Sequence, residues 1–178
     1  MILVCGEALV DLFAEAGRGG EMPARIVAGG SPFNVAIGLA RLGVEASFLG
    51  GVSRDGFGSL LAALLAREGV DARYLVRTGR LTTISVVATG KDGHPSYSFH
   101  GEGAADRSLT AADLPPVLPE TIRALTFGSY TMAVEPVGSA FAALAERERG
   151  RRVISVDPNL RPTVIGEMAG WHRAAERF

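Results

Sequence analysis

The sequence predicts an α/β fold in which a mostly parallel sheet is flanked by helices and carries a small antiparallel insertion. Short β-branched runs alternate with longer helical patterns, which is typical of a sheet built from crossover units. Runs of this kind lie at residues 2–5, 46–49, 125–127 and 153–156. Between residues 74 and 99 the alternation stops, and extended segments follow one another directly.

Capping residues define the first two helices between these runs. Ser31 is a good N-cap and Pro32 is tolerated in the first turn, so a helix is predicted to begin there and to end at Gly43. A second helix is predicted over 57–68, with Gly69 as its C-terminal stop. The residues predicted to face the core are Val35, Leu39 and Leu42 in the first helix and Leu60, Leu61, Leu64 and Leu65 in the second.

Two further helical patterns follow. The first covers 137–149, begins after Pro136 and stops at Gly150. The second covers 170–178 and has neither a capping signal nor a following strand. The alternation of strands and helices therefore stops in the middle of a crossover unit, and we expect the C-terminal part of the fold to be missing from these 178 residues.

The extended segments at 74–76, 82–88 and 96–99 predict the small antiparallel element. The last two flank residues 90–93, a Gly-Lys-Asp-Gly tetrapeptide whose composition is typical of a hairpin turn. A hairpin set between crossover units has no obvious place in a parallel sheet, so we expect it to cover a site as a lid.

Composition narrows the class of partner. The chain has 178 residues, close to one domain, with 18 basic and 19 acidic residues and a formal net charge of -1. These charges are scattered, which argues against nucleic-acid or polybasic membrane binding and favours a small-molecule ligand. A single cysteine, Cys5, cannot form an intramolecular disulfide, and no apolar run approaches the ~20 residues that cross a bilayer. The cytoplasm is the expected compartment.

Polar and glycine residues after the strands are candidate ligand contacts, because ligands in open α/β sheets collect at the carboxyl ends of strands. Asp11 could accept hydrogen bonds from two hydroxyl groups, with a cap or turn role as the alternative. Gly29 and Gly30 would let a ligand approach the start of a helix, with a tight turn as the alternative. Asn34 can both donate to and accept from a hydroxyl.

A third candidate cluster covers residues 157–162, directly after the last predicted strand. Arg161 lies there beside proline residues that restrict its position, and it is either a ligand contact or a surface residue of a turn. The spacings of His94, His100 and His172 match no metal motif. The sequence contains neither a dinucleotide fingerprint nor a P-loop.

Several of these motifs, in the order in which they occur, resemble the ribokinase or pfkB family of carbohydrate kinases. They are Asp11 after the first strand, Gly29-Gly30-x-x-x-Asn34, Gly50-Gly51-Val52-Ser53-Arg54-Asp55-x-Phe57-Gly58 and Asp157-x-Asn159-x-Arg161. The resemblance covers the whole chain, and the residues near Asp11 and Asp157 are most similar to fructokinases. It implies a ribokinase-like fold, with 1–178 as the N-terminal portion of one domain and segments near 12–28 and 74–100 as a β lid.

The resemblance also implies an activity, the ATP-dependent transfer of a γ-phosphoryl group to a primary hydroxyl of a sugar, with fructose as the expected substrate. Ribose, 2-keto-3-deoxygluconate and nucleosides are alternative substrates within the family. A non-catalytic sugar-binding domain is the alternative from another class. ATP, Mg²⁺ and, as an option, a monovalent cation are the implied cofactors, and a homodimer through the β lid is an implied assembly.

Site residues carry over from the family position by position. The residues that match sugar-binding positions are Asp11, Gly29, Gly30, Asn34, Phe99 and Arg161. Phe99 would cover the sugar, Arg161 would reach it from the side of the sheet, and the loop at 103–106 resembles a segment beside it. The second family signature, Asp-Thr-x-Gly-Ala-Gly-Asp, is absent from these 178 residues. That signature carries the general base, which contributes roughly 10²-fold to 10⁴-fold, so we expect the base beyond Phe178, no metal ligand here, and no turnover by this chain alone.

Overall fold

The computed structural model describes residues 1–15, 17–89, 95–159 and 168–178, and within them strands and helices alternate. The strands are β1 (Ile2–Cys5), β2 (Leu9–Ala14), β3 (Ala24–Gly29), β4 (Ala46–Ser53), β5 (Leu75–Thr78), β6 (Ile84–Thr89), β7 (Pro95–His100), β8 (Ala124–Gly128) and β9 (Val153–Asp157). The helices are α1 (Ser31–Arg41), α2 (Gly56–Arg67), α3 (Val137–Glu148) and α4 (Met168–Ala175). Short 3₁₀ turns lie at Ala105–Arg107, Ala111–Asp113 and Ser129–Met132.

The main sheet has five strands in the order β5-β4-β1-β8-β9, and every neighbouring pair is parallel. Ile2 at the start of β1 pairs with Ala46 of β4 on one side and with Ala124 of β8 on the other. Parallel pairing brings the carboxyl ends of all these strands to one edge of the sheet. The predicted parallel α/β architecture is confirmed, and that edge is where a ligand is expected.

A hydrophobic core lies on each face of the main sheet. Successive residues of a strand point to opposite faces, so Leu3 packs with Phe141 of α3. Val4 points the other way and packs with Phe33 of α1 and Leu61 of α2. These five side chains are at most 1% exposed. The predicted flanking of the sheet by helices on both faces is therefore present.

The small sheet has four strands in the order β3-β2-β6-β7. The pair β6 with β7 is antiparallel as predicted, β2 with β3 forms a second antiparallel pair, and the central pair, β2 with β6, is parallel. The central pair is parallel because both strands run out from the main sheet and each is followed by a strand that returns. The turn predicted at 90–93 lies outside the described residues.

The segment predicted as the first strand of the antiparallel element, 74–76, belongs elsewhere. It forms β5, which pairs in parallel with residues Gly50 to Ser53 of β4 and becomes an edge of the main sheet. The physical reason is connectivity, because β5 follows helix α2 and completes a crossover unit before the chain leaves for the small sheet.

The start of α1 differs from the predicted one. Gly30 is the N-cap, with φ of 110°, and Ser31 is the first helical residue. The N–H of Ser31 donates to the carboxylate of Glu7 at 3.1 Å, so the capping acceptor comes from a distant part of the chain. Gly43 and Gly69, with φ of 77°, end the first two helices as predicted.

The predicted inward faces of α1 and α2 are wrong in part. In α1 the buried residues are Pro32, Phe33, Ala36 and Ile37. Val35 and Leu42 are 37% and 81% exposed, because the stripe formed by those four buried residues packs against the sheet instead. In α2, Leu61 is buried and Leu60 is 45% exposed, since adjacent positions lie about 100° apart around a helix.

The later elements agree with the predicted alternation. Helix α3 follows Pro136 and stops before Gly150, whose φ is 80°, and β9 forms the far edge of the main sheet. The predicted terminal helix is present as α4, where Trp171 is 5% exposed. Within the described ranges, no helix combines the length and the apolar character needed to span a bilayer.

Candidate functional site

A cavity of about 730 Å³ lies between the two sheets, on the carboxyl side of the main-sheet strands. The small sheet forms one wall, and the start of α1 with the segments after β1, β8 and β9 forms the others. The lining residues are Glu7, Leu9, Asp11, Phe13, Gly30, Ser31, Asn34, Val35, Ser85, Val87, Phe99, Ser129, Tyr130 and Asn159. The volume is in the range of small-molecule sites.

Asp11 is a half-buried residue of β2 that faces the cavity. The Asp11 side chain can take this position because residue 29 of the neighbouring strand is glycine. A Cβ at Gly29 would clash with Oδ2 of Asp11. Gly29 itself stands behind the carboxylate and is not one of the lining residues. A carboxylate in this position can only accept hydrogen bonds, so a ligand that it holds must donate.

Gly30 and Asn34 bring the first turn of α1 to the cavity. A Cβ at Gly30 would lie 2.7 Å from the backbone oxygen of Glu7, and φ of 110° is a conformation that favours glycine. Asn34 is exposed and lies one turn further along the helix, where its amide reaches the same cavity. The two residues therefore place a backbone segment and a donor-acceptor side chain beside Asp11.

Phe99 of β7 supplies an aromatic surface to the cavity. Its ring packs edge-on against Tyr130, with ring centroids 6.3 Å apart and planes at 67°. Tyr130 belongs to the turn after β8, so this contact joins the small sheet to the main sheet. The pair closes one side of the cavity with apolar surface.

The segment after β9 also reaches the cavity. Asn159 is a lining residue with φ of 38°, and its N–H donates to Oδ1 of Asp157 at 3.1 Å. Arg161, predicted to contact the ligand from this segment, lies outside the described residues.

A buried carboxyl forms the floor of the cavity at Glu7, a residue that sequence reasoning did not single out. Glu7 is 1% exposed. It accepts hydrogen bonds from the N–H of Ser31 at 3.1 Å and from Oγ1 of Thr131 at 3.3 Å. Burial raises the pKa of Glu7 to about 7, and the nearby Asp106 carboxylate adds to the rise. This acid therefore changes charge near neutral pH.

Asp106 is a second buried acid, 1% exposed, in the loop that resembles a segment beside the sugar. It accepts a hydrogen bond from Oγ1 of Thr83 at 2.5 Å and another from the hydroxyl of Tyr130. Burial raises the pKa of Asp106, although these two donors and the Arg107 cation favour its charged form. Arg107 also lies 5.0 Å from the centroid of the Tyr130 ring.

Three of the residues that sequence reasoning missed follow strands of the main sheet, the position in which Asp11 was expected, whereas Asp11 itself lies within β2. Glu7 comes two residues after β1, and Ser129 and Tyr130 come directly after β8. The rule that selected Asp11 could have found them by position. The left-handed backbone of Ser129, with φ of 62°, carries no sequence signal because serine rarely adopts it.

Few groups among the described residues could bind a metal ion or a phosphate. Across 1–15, 17–89, 95–159 and 168–178, no three His, Cys, Asp or Glu side chains form a group that could hold a metal ion. At the start of α1, the N–H of Ser31 already donates to Glu7 and is not available to an anion.

Comparisons with known proteins agree with this geometry. A fructokinase of Rhizobium leguminosarum bv. trifolii is 41% identical over 165 residues, which are 93% of this chain and 50% of that protein. A structure of fructokinase with bound ATP from Xylella fastidiosa superposes with a TM-score of 0.88 at 28% identity, over 99% of this chain and 58% of that one. A structure of aminoimidazole riboside kinase from Salmonella enterica, complexed with aminoimidazole riboside and an ATP analog, gives 0.77 at 27% identity, over 99% and 56%.

The chain spans about half the length of the curated relatives that it matches. The sequence profile of the pfkB family carbohydrate kinases matches residues 1–169, which is nearly all of the chain. Together with the two-sheet architecture and the cavity between the sheets, this match shows that the chain belongs to the pfkB family of carbohydrate kinases.

Proposed function

We propose that the protein is an ATP-dependent sugar kinase that transfers the γ-phosphoryl group of ATP to a primary hydroxyl of fructose. One observation carries the proposal: Asp11, Gly30 and Asn34, from different elements of the fold, border one cavity of about 730 Å³. Carboxylate, amide and glycine backbone are groups that recognise a polyhydroxylated ligand. The fructokinase with 41% identity supports fructose as the substrate.

Each predicted site residue has a role in this proposal. Asp11 accepts hydrogen bonds from sugar hydroxyls, and Asn34 both donates and accepts. Gly30 lets the sugar approach the backbone at the start of α1, and Phe99 covers an apolar face of the ring. Arg161, which lies outside the described residues, keeps the substrate contact that the family resemblance implies for it. Gly29 acts indirectly, by leaving room for the Asp11 carboxylate.

The reaction needs more than a sugar site. Phosphoryl transfer depends on in-line positioning and on stabilising the charge of the transferred group, which ATP-bound Mg²⁺ and a general base help to supply. We assign the sugar-positioning part to the residues described here. We assign the base and the nucleotide contacts to the part of the family's length that this chain does not match. The fructokinase structure with bound ATP supports ATP as the donor.

The small sheet is the proposed lid of the site. Its strands β2, β6 and β7 supply cavity residues, and it is joined to the main sheet by short segments. Its outer region carries Met22, 65% exposed, and Ile26, 39% exposed, which supports a homodimer contact through the lid. The lone cysteine supports a reducing compartment, the cytoplasm.

A substrate screen tests the proposal. ADP release would be measured for a full-length protein in which these residues are joined to the family's second signature, with MgATP and fructose, ribose, 2-keto-3-deoxygluconate or aminoimidazole riboside, and calorimetry would measure binding without ATP. We expect turnover with fructose at the highest kcat/KM. A preference for the riboside would overturn the choice of sugar, and the riboside kinase with a TM-score of 0.77 makes it the second candidate. Sugar binding without turnover would establish a non-catalytic sugar-binding protein instead.

A further inference from the structure

A buried carboxylate connects the two sheets behind the cavity. Asp106 lies in the turn Ala105–Arg107, between the end of the small sheet and β8. Its Oδ1 accepts the hydrogen bond of Thr83, which precedes β6 of the small sheet, at 2.5 Å. Its Oδ2 accepts the hydroxyl of Tyr130, in the turn after β8 of the main sheet. One side chain thus receives a donor from each sheet.

The turn that carries Asp106 is held firmly against the main sheet. A Cβ at Gly51 of β4 would clash with the backbone oxygen of Ala105, so only glycine at this position lets the turn pack so closely against β4. The N–H of Ala105 donates to the backbone oxygen of Leu81 at 2.9 Å. Asp106 is therefore a fixed point relative to β4.

The connection has two arms, the hydrogen bond from Thr83 to Asp106 and the hydrogen bond from Tyr130 to Asp106, and each arm leads to a wall of the cavity. Thr83 is two residues before Ser85, which lines the cavity from β6. Tyr130 lines the cavity itself and packs against Phe99. Asp106 is 1% exposed and is not one of the lining residues. Its effect on a ligand must pass through Thr83 and Tyr130.

The chemistry of the connection requires an acceptor at Asp106. The hydroxyls of Thr83 and Tyr130 both donate to it, in a region that is buried from water. A carboxylate can accept both, whereas an apolar side chain would leave two buried hydroxyls without a partner. Because the hydroxyl of Tyr130 points at Asp106, the residue presents its ring to the cavity and to Phe99.

We propose that Asp106 is a positioning residue of the sugar site, which sets the separation of the two cavity walls through Thr83 and Tyr130 without touching the sugar. This role rests on the proposed function. It predicts that removing either hydroxyl weakens sugar binding while leaving the phosphoryl-transfer step nearly unchanged, because both hydroxyls are engaged by Asp106, which does not line the cavity.

The test compares the single variants Tyr130→Phe, Thr83→Val and Asp106→Ala and one double variant, each in the full-length protein that carries the family's second signature, in an assay with MgATP and varied fructose. Tyr130→Phe and Thr83→Val each remove one hydroxyl with little change of shape. We expect each to raise the fructose KM about tenfold, the size of effect that residues without ligand contact can have on binding, with kcat within about twofold of the parent. In the Asp106→Ala background, adding Tyr130→Phe should raise KM no further, since that arm is already cut.

Ser47→Ala is the matched control. Ser47 is 0% exposed and donates to the backbone oxygen of Asp71 at 2.9 Å, near the end of β4 that is remote from the cavity. It should lower the melting temperature as Tyr130→Phe does and leave the fructose KM unchanged. If Tyr130→Phe and Thr83→Val also leave KM unchanged, Asp106 only supports the fold and the inference is overturned.

The single-arm variants decide the outcome even if Asp106→Ala fails to fold. Failure of the proposed function is distinguishable, because the parent protein itself would then phosphorylate no sugar.

Discussion

Two buried glutamates in this protein have opposite surroundings. Glu148, at the end of α3, is 4% exposed and forms ion pairs with Arg147 at 2.9 Å and Arg152 at 2.8 Å. Burial raises its pKa, but the hydrogen bonds from these arginines outweigh that effect and leave the pKa below its usual value. Glu7 is more deeply buried, 1% exposed, beside the acid Asp106, and burial raises its pKa to about 7.

The different partners of Glu7 and Glu148 show two ways in which a protein can bury an acidic side chain. A buried acid with a cationic partner stabilises the fold locally, and removing either partner leaves an uncompensated charge. A buried acid accompanied by hydroxyls and a second acid costs stability at neutral pH, which a protein retains where a site needs it. Glu7 lines the cavity, and Glu148 does not.

The largest expected effect concerns the paired acid. Glu148→Gln should lower the free energy of unfolding by about 4 kcal/mol, because Arg152, whose side chain is 6% exposed, then becomes an unpaired buried cation. Urea denaturation measures the loss, and the fructose KM should not change. A loss below about 1 kcal/mol would show that the pair contributes no more than an exposed one.

The second prediction concerns the pH dependence that Glu7 imposes on stability. Its pKa is 4.5 in the unfolded chain and about 7 in the folded protein, so the native state holds its proton longer. Stability is therefore lost as the pH rises between these two values, by about 3 kcal/mol in total. Glu7→Gln cannot ionise and should lack this loss.

The measurement compares unfolding free energies of the parent and Glu7→Gln at pH 5 and pH 8. Asp106 faces Glu7 and adds to the rise of its pKa, so the difference between the two proteins reports the charge of Glu7 together with its coupling to Asp106. Equal pH slopes for the two proteins would mean that Glu7 is already ionised at pH 5, and the contrast with Glu148 would disappear.

The third prediction tests whether the ligand engages the cavity as proposed. Asp11→Ala should weaken fructose binding by about 2 kcal/mol, the contribution of at least one hydrogen bond to a charged group. Calorimetry or KM measures the change, and stability should change little because Asp11 is only half buried. An unaltered affinity would remove Asp11 from the site.

The smallest effect is expected at the glycine behind that carboxylate. Gly29→Ala should displace the Asp11 side chain, because the new Cβ would clash with Oδ2 of Asp11. The displaced carboxylate should raise the fructose KM about tenfold. Gly38→Ala is the control, since nothing lies within 4 Å of a Cβ there and alanine favours the helix. A KM increase in Gly38→Ala, or none in Gly29→Ala, would contradict this role.

Much of the fold could be predicted from local patterns. The strands near 2–5, 125–127 and 153–156 and the glycines that end the helices were found because β-branched runs and left-handed caps depend on neighbouring residues only. The partner of β5 and the buried face of α1 were predicted wrongly. Both depend on which of two compatible surfaces meets the sheet, and this is a long-range choice.

The candidate site could be predicted in part. Strand-end position and the family signature pointed to Asp11, Gly30 and Asn34, and these residues border one cavity. Gly29 was predicted to bind the ligand, and the structure adds that a Cβ at this position would clash with the Asp11 carboxylate. The sugar-binding roles of these residues stay predictions until the variants above are measured.

The sequence by itself determined the alternation of elements, the helix ends and the family, because these follow from short-range chemistry and from motifs of adjacent residues. Tertiary structure decided the depth and charge state of the site. Glu7 and Thr131 lie 124 positions apart in the chain and 3.3 Å apart in space. A pKa depends on burial and on such neighbours, so only the folded arrangement turns Glu7 into an acid that titrates near neutral pH.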